Sequence, residues 1–206
     1  MTGRLLAFAG FSLLLALTPG PDFALVTRNA LAFGRRGVLL TTAGLAGGLL
    51  IWVAASAVGI AVLLETSAGL YTALRIAGAA YLAYLGMRTL WASRHEPQPI
   101  TSPPQPRRAS SIWGQGLLSA SLNPKLGVFF VSVLPQFIDT SRPALPQSLL
   151  LGAIFIVIGI SWMNAYGFSV SRLRDVVTSP RVRRWMERFT GIALLGFGAK
   201  LVLDAR

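Results

Sequence analysis

Two short stretches hold the residues able to do chemistry in this chain. Thr18-Pro19-Gly20-Pro21-Asp22 places a carboxylate after two prolines and a glycine, and Asn123-Pro124-Lys125 places an ammonium after an amide and a proline. Each interrupts an apolar run. Proline removes a backbone donor and restricts the residue before it, so regular α-geometry stops at each motif. A helix restarting beyond such a break exposes unpaired N–H groups and the positive end of its dipole, which favours a carboxylate. Asp22 can pair with an ammonium and Lys125 with a carboxylate, so a zwitterion such as a free amino acid meets both demands. Asn123 offers an amide that can bind either end or cap the restarted helix. Gly20, Pro21 and Pro124 shape the breaks and belong to the same candidate binding set. Asn164, polar in an apolar stretch like Tyr166, either lines a cavity or bonds a neighbouring helix. Asp22 is in addition the candidate proton carrier. Plainer readings stand beside these: Asp22 as a helix cap, Lys125 as a snorkelling or Asp22-pairing residue, and the prolines as simple kinks.

The elements that position these residues belong in a membrane. Apolar residues make up 53% and charged residues 13%, and mean hydropathy is +0.61. Gly37–Leu64 and Pro143–Ser171 carry no charge, and each is long enough to span about 30 Å of hydrocarbon. In lipid, a broken helix is tolerated only where protein or a wet cavity covers the freed backbone groups. An acid at a helix centre costs about 2.5–3.5 kcal/mol on insertion scales. The formal charge of +12 comes from basic residues flanking apolar runs, the mark of cytoplasmic loops, with no basic stripe on a soluble fold, so nucleic acid is not an expected partner. There is no cysteine and one histidine, His95. Thiolate metal sites, disulfides and redox motifs are therefore excluded, and no phosphate-binding loop couples ATP to the chain. No enzymatic constellation and no cofactor are expected, and energy must come from an ion gradient or the substrate's own. Arg4 and Leu5–Leu17 resemble the start of a signal peptide, but Thr18-Pro19-Gly20-Pro21 offers no small-x-small cleavage site, so the segment is read as retained.

The expected fold is an all-α integral membrane protein of six transmembrane helices. The spans run about 4–33 (broken at 18–22), 38–64, 68–91, 112–138 (broken at Asn123-Pro124), 145–170 and 186–204. Gly34-Arg35-Arg36-Gly37 reads as a tight basic turn, and Arg-rich 172–188 as an amphipathic stretch on the cytoplasmic surface. Residues 92–111, with five prolines from Pro97 to Pro106, form a cytoplasmic linker between a first repeat, 1–91, and a second, 112–206. Three spans per half force the second half into the membrane with opposite polarity, the pattern of inverted repeats in secondary transporters. The Lys/Arg bias places both termini outside. Gly44 and Gly48 form a small-xxx-small pair that serves internal packing or a homodimer equally well.

At these motifs the chain resembles the LysE/RhtB family of bacterial inner-membrane amino-acid exporters. The matching residues are Thr18-Pro19-Gly20-Pro21-Asp22, Gly34-Arg35-Arg36-Gly37, Tyr84-Leu85-Gly86-Met87-Arg88, Asn123-Pro124-Lys125, Phe129-Phe130 and Leu134-Pro135-Gln136-Phe137, in order along nearly the whole chain. The resemblance implies export of amino acids or close derivatives by proton antiport from six spans in the inner (plasma) membrane. Two further readings stay open: a cation or metal efflux protein on a related scaffold, and a membrane interaction protein that transports nothing.

Overall fold

The computed structural model describes residues 2–66, 86–91, 108–172 and 179–203, with isolated positions between 69 and 94. Every regular element among the described residues is helical. The first helix, α1 (Thr2–Leu17), is a run of Leu, Ala and Phe that ends where Pro19 and Pro21 remove two donors. Its last turn closes through Thr18 N–H to Leu15 O at 3.2 Å and Thr18 Oγ1 to Leu14 O at 3.0 Å. Helix α2 (Pro21–Thr66) starts with proline in its first position, where the missing N–H costs nothing. Gly20 O accepts the first ladder bond, from Ala24 N–H at 3.1 Å.

A straight helix as long as α2 would run about 69 Å, twice the thickness of a bilayer core. It does not run straight. Gly34 sits at φ 57°, ψ −144°, a conformation glycine alone adopts without strain. The limbs on either side fold back on each other. Asn29 Nδ2 donates to Thr41 Oγ1 at 2.9 Å across twelve residues, a separation of about 18 Å along an unbroken helix. Gly37 lies so close to Asn29 that a Cβ there would sit 2.2 Å from its carbonyl oxygen. The expected basic turn at Gly34-Arg35-Arg36-Gly37 is thus a hairpin between two helices.

Helix α3 (Ala109–Ser121) lies along the second limb of α2. Its backbone approaches so closely that a Cβ on Gly44 would stand 2.0 Å from Trp113 O, and one on Gly116 2.3 Å from Thr41 O. The Gly44/Gly48 pair therefore packs inside the fold. After a break at Leu122 and Asn123 comes α4 (Pro124–Val128), then a π-helical turn, Phe129–Val133, and a 3-10 turn, Leu134–Phe137. Segments 109–121 and 124–137 are bent by 45°. Helix α5 (Ala144–Arg172) packs against α1 and α2, and α6 (Pro180–Leu203) touches α1.

Residues 21–59 and α5 are long and apolar enough to cross a membrane, and the bent pair 109–137 adds a third candidate. Given the hairpin at Gly34, residues 35–59 alone reach about 37 Å, enough for one crossing. Leu39, Leu50, Ile51, Val58 and Val157 face outward, a surface suited to lipid and not to water.

Two expectations meet a different local structure. Residues 180–188, read as a separate surface stretch, are the first turns of α6, because Ser179 Oγ accepts from Val182 N–H at 3.4 Å and Pro180 occupies the first helical position. Helix α3 begins at Ala109, inside the stretch read as linker. Residues 173–178, most of 68–85 and most of the linker lie outside the described residues.

Candidate functional site

The two breaks meet in the core, and each holds the charged residue of the other. Asp22, in the first turn of α2 and 7% exposed, reaches across to the second break. Its Oδ1 accepts from Ser119 Oγ at 2.5 Å and its Oδ2 from Asn123 Nδ2 at 2.8 Å. Lys125, in the first turn of α4, reaches back to the first break, where Nζ donates to Leu15 O and Thr18 O, both at 3.3 Å. Those carbonyls belong to the end of α1, where orphan acceptors and the negative dipole end favour a cation. Asn123 serves both sides: Oδ1 accepts from Lys125 N–H at 3.1 Å, capping α4, while Nδ2 goes to Asp22. Trp52 completes the break, its Nε1 donating to Ala120 O at 3.1 Å at the end of α3.

Asp22 and Lys125 make no direct ion pair, but both line one cavity of about 40 Å³. A carboxylate has about four lone-pair sites and an ammonium three donors. With two bonds made by each group, Asp22 keeps lone-pair capacity and Lys125 one N–H beyond them, and both residues line that space. Among the described residues the rest of the wall is apolar and comes from α1, the second limb of α2, α3, α4 and α5, with Leu45, Leu49, Phe155 and Met163 prominent. A volume of this size holds on the order of three waters, so an amino acid fits only when the walls part.

The contacts on the two sides of the cavity differ in kind. Toward the start of α1 lies an aromatic cluster: Phe129 and Phe155 stack with centroids 4.4 Å apart, and Phe11 stacks on Phe129 at 5.7 Å. The π-helical turn presents Phe129 and Phe130 to this cluster from adjacent positions. Beyond it, on the surface, Arg4 lies 3.5 Å from Asp139. Two bonds from Ser141, through its hydroxyl and its N–H, hold the Asp139 carboxyl below the ordinary carboxylate range. Toward Gly34 the contacts between helices are polar. Thr27 gives its proton to Phe23 O, so the Tyr166 hydroxyl 2.8 Å away is the donor to Thr27. Thr42 Oγ1 donates to Asn164 Oδ1 at 2.9 Å, and Arg28 donates to Gln115 Oε1.

Of the residues singled out from sequence, Asp22, Asn123 and Lys125 come together, and Gly20 lies beside them, its Cβ direction 3.8 Å from Lys125 Nζ. Pro21 and Pro124 start the two helices whose first turns carry the charges. Asn164 is held on Thr42 and is not part of the cavity wall. Ser119 was not singled out. It ends up beside Asn123 only through the break between the two helices, which sequence spacing does not reveal.

The LysE type translocator family model matches residues 13–205. The uncharacterized membrane protein YrhP of Bacillus subtilis is 29% identical over 208 residues, 97% of this chain and 99% of its own. The threonine efflux protein of Escherichia coli K12 is 26% identical over 192 residues, 91% of this chain and 92% of its own. The homoserine/homoserine lactone efflux protein of Salmonella typhimurium is 30% identical over 190 residues, 92% of this chain and 91% of its own. No solved structure matches the chain.

Proposed function

We propose, from the premise that the chain belongs to the LysE type translocator family, that it exports amino acids or close derivatives across the inner (plasma) membrane in exchange for protons. The observation that carries this is the crossed arrangement at the breaks: Asp22 rests on Ser119 and Asn123, Lys125 on Leu15 and Thr18, and both face one cavity. A carboxylate and an ammonium that keep bonding capacity in a low-dielectric cavity are a matched receptor for an amino acid's two charges. The names of the threonine and homoserine efflux relatives support the direction of transport and the substrate class.

The substrate ammonium binds Asp22, and its carboxylate takes the free N–H of Lys125. Asn123 holds both host residues in place. A proton arriving from outside neutralises Asp22, which removes the countercharge of the ammonium and releases the substrate. Loss of that proton to the cytoplasm resets the site. One carboxylate serving two mutually exclusive cations gives a one-for-one exchange.

The reading includes six spans in two inverted repeats with both termini outside. Its support is the like construction of the halves: a helix, a break, then a restart on Pro21 or Pro124 followed by the charged residue, each contacting the other half as in an isologous pair. Efflux from cells preloaded with a panel of labelled amino acids, with and without an uncoupler, tests the proposal. Selective efflux that collapses with the uncoupler is expected, and efflux indifferent to it removes the proton from the mechanism.

A further inference from the structure

Three glycines of α5 face inward, and they differ. A Cβ on Gly152 would stand 2.6 Å from the Val53 side chain, and one on Gly167 2.7 Å from Val38, so helix packing requires glycine at both. Gly159, between them, is also buried, yet apart from its chain neighbours and its own helix backbone no atom of the described residues lies within 4 Å of its Cβ position. It lines the cavity that Asp22 and Lys125 share. Glycine in a helix interior costs roughly 1 kcal/mol relative to alanine, and no neighbouring helix among the described residues requires it here. What glycine leaves at 159, among the described residues, is space on the cavity wall.

We infer that the space at Gly159 receives the substrate's side chain, that Gly159 sets its size limit, and that the side chain is uncharged and aliphatic. This deepens the proposed function and rests on it. The substrate's ammonium and carboxylate occupy Asp22 and Lys125. Among the described residues, the remaining wall, with Leu45, Leu49, Phe155, Ile160 and Met163 around Gly159, contains no other charged or polar side chain. A third charge would be buried without a partner, and a hydroxyl would lose its water without gaining a bond. An aliphatic side chain meets neither cost and gains contact with the wall.

The test measures counterflow by the purified protein in liposomes for alanine, valine, threonine, leucine and lysine. For the native protein, valine is expected to exceed its near-isostere threonine in transport efficiency by about tenfold to a hundredfold, the range an apolar pocket achieves against an added hydroxyl. Lysine is not expected to move. Gly159→Val should lower leucine transport by about tenfold or more relative to alanine, since each methylene of lost fit is worth that much. Gly159→Ala, which no described neighbour opposes and helix propensity favours, gives a smaller shift in the same order and decides the matter if the valine variant does not fold. Threonine or lysine handled as well as valine overturns the side-chain class. Equal losses for alanine and leucine in the folded glycine variants overturn the role of Gly159. A native protein that moves none of the five overturns this inference, while efflux of another amino acid from the preloaded cells keeps the export reading standing apart from it.

Discussion

Replacing Asp22 by asparagine separates the structural from the chemical role of that carboxylate. In the native site Oδ1 and Oδ2 accept from Ser119 and Asn123 at 2.5 and 2.8 Å. An asparagine of the same shape can keep both contacts: its Oδ1 turned toward Asn123 Nδ2, its Nδ2 donating to a Ser119 hydroxyl that now accepts. What changes is charge assistance. Bonds to an ionised group are worth roughly 1.5–3 kcal/mol against about 0.5–1.5 for neutral ones, so the two contacts together lose about 2 kcal/mol. For a chain of this size that lowers Tm by roughly 4–8 °C, and the protein still folds. Transport loses far more, because the substrate ammonium is left without its countercharge. Removing one partner of a buried charge pair costs about 2–5 kcal/mol, a factor of roughly thirty or more in binding. The assay pairs thermal unfolding in detergent with efflux from preloaded liposomes. A modest fall in Tm with near-complete loss of efflux is expected. Efflux close to native from a folded Asp22→Asn protein refutes the assignment of the carboxylate to substrate and proton.

Asn123→Ala removes both the cap on Lys125 N–H and the bond to Asp22, and should cost about 1–2 kcal/mol for the cap alone, so its fall in Tm should match or exceed that of Asp22→Asn. Gly34→Ala forces a side chain onto a positive φ at a cost of about 1–3 kcal/mol, whereas Gly10→Ala, in helix α1 and equally unobstructed, should be neutral or slightly stabilising; unfolding midpoints of the two variants compare them. The Asp139 carboxyl, depressed by Ser141, stabilises the folded chain above the unfolded carboxyl pKa of about 3.9, and that contribution is lost as pH falls through the lower folded value. Titration of this group by NMR should show its midpoint rise toward the ordinary value in Ser141→Ala.

The parts of this structure legible in sequence are those fixed by the local backbone. Pro21 and Pro124 forbid continuation of the preceding helices, so both breaks were readable to within a few residues, and Gly34 next to two arginines marked the hairpin turn. Asn123 before Pro124-Lys125 had the form of a cap and is one. The crossing was not readable. That Asp22 rests on the second break and Lys125 on the first depends on how the halves dock, and no local preference encodes it. Ser119 and the carbonyls of Leu15 and Thr18 escaped for the same reason: a serine and two peptide oxygens acquire a role only from what faces them. Asn164 looked equally suited to a cavity or a neighbouring helix, and its bond to Thr42 comes from packing between α5 and α2. Residues 180–188 carry an amphipathic basic pattern, yet nothing between Pro180 and Leu203 stops the helix.

Counterflow into liposomes containing only the purified protein bears most directly on the central claim, that the crossed Asp22–Lys125 site binds and moves a zwitterion. Vesicles loaded with an unlabelled neutral amino acid should accumulate its labelled form from outside, and Lys125→Met and Asp22→Asn should each abolish the accumulation while remaining folded. Full accumulation by either variant, or none by the native protein for any amino acid tried, would contradict the account.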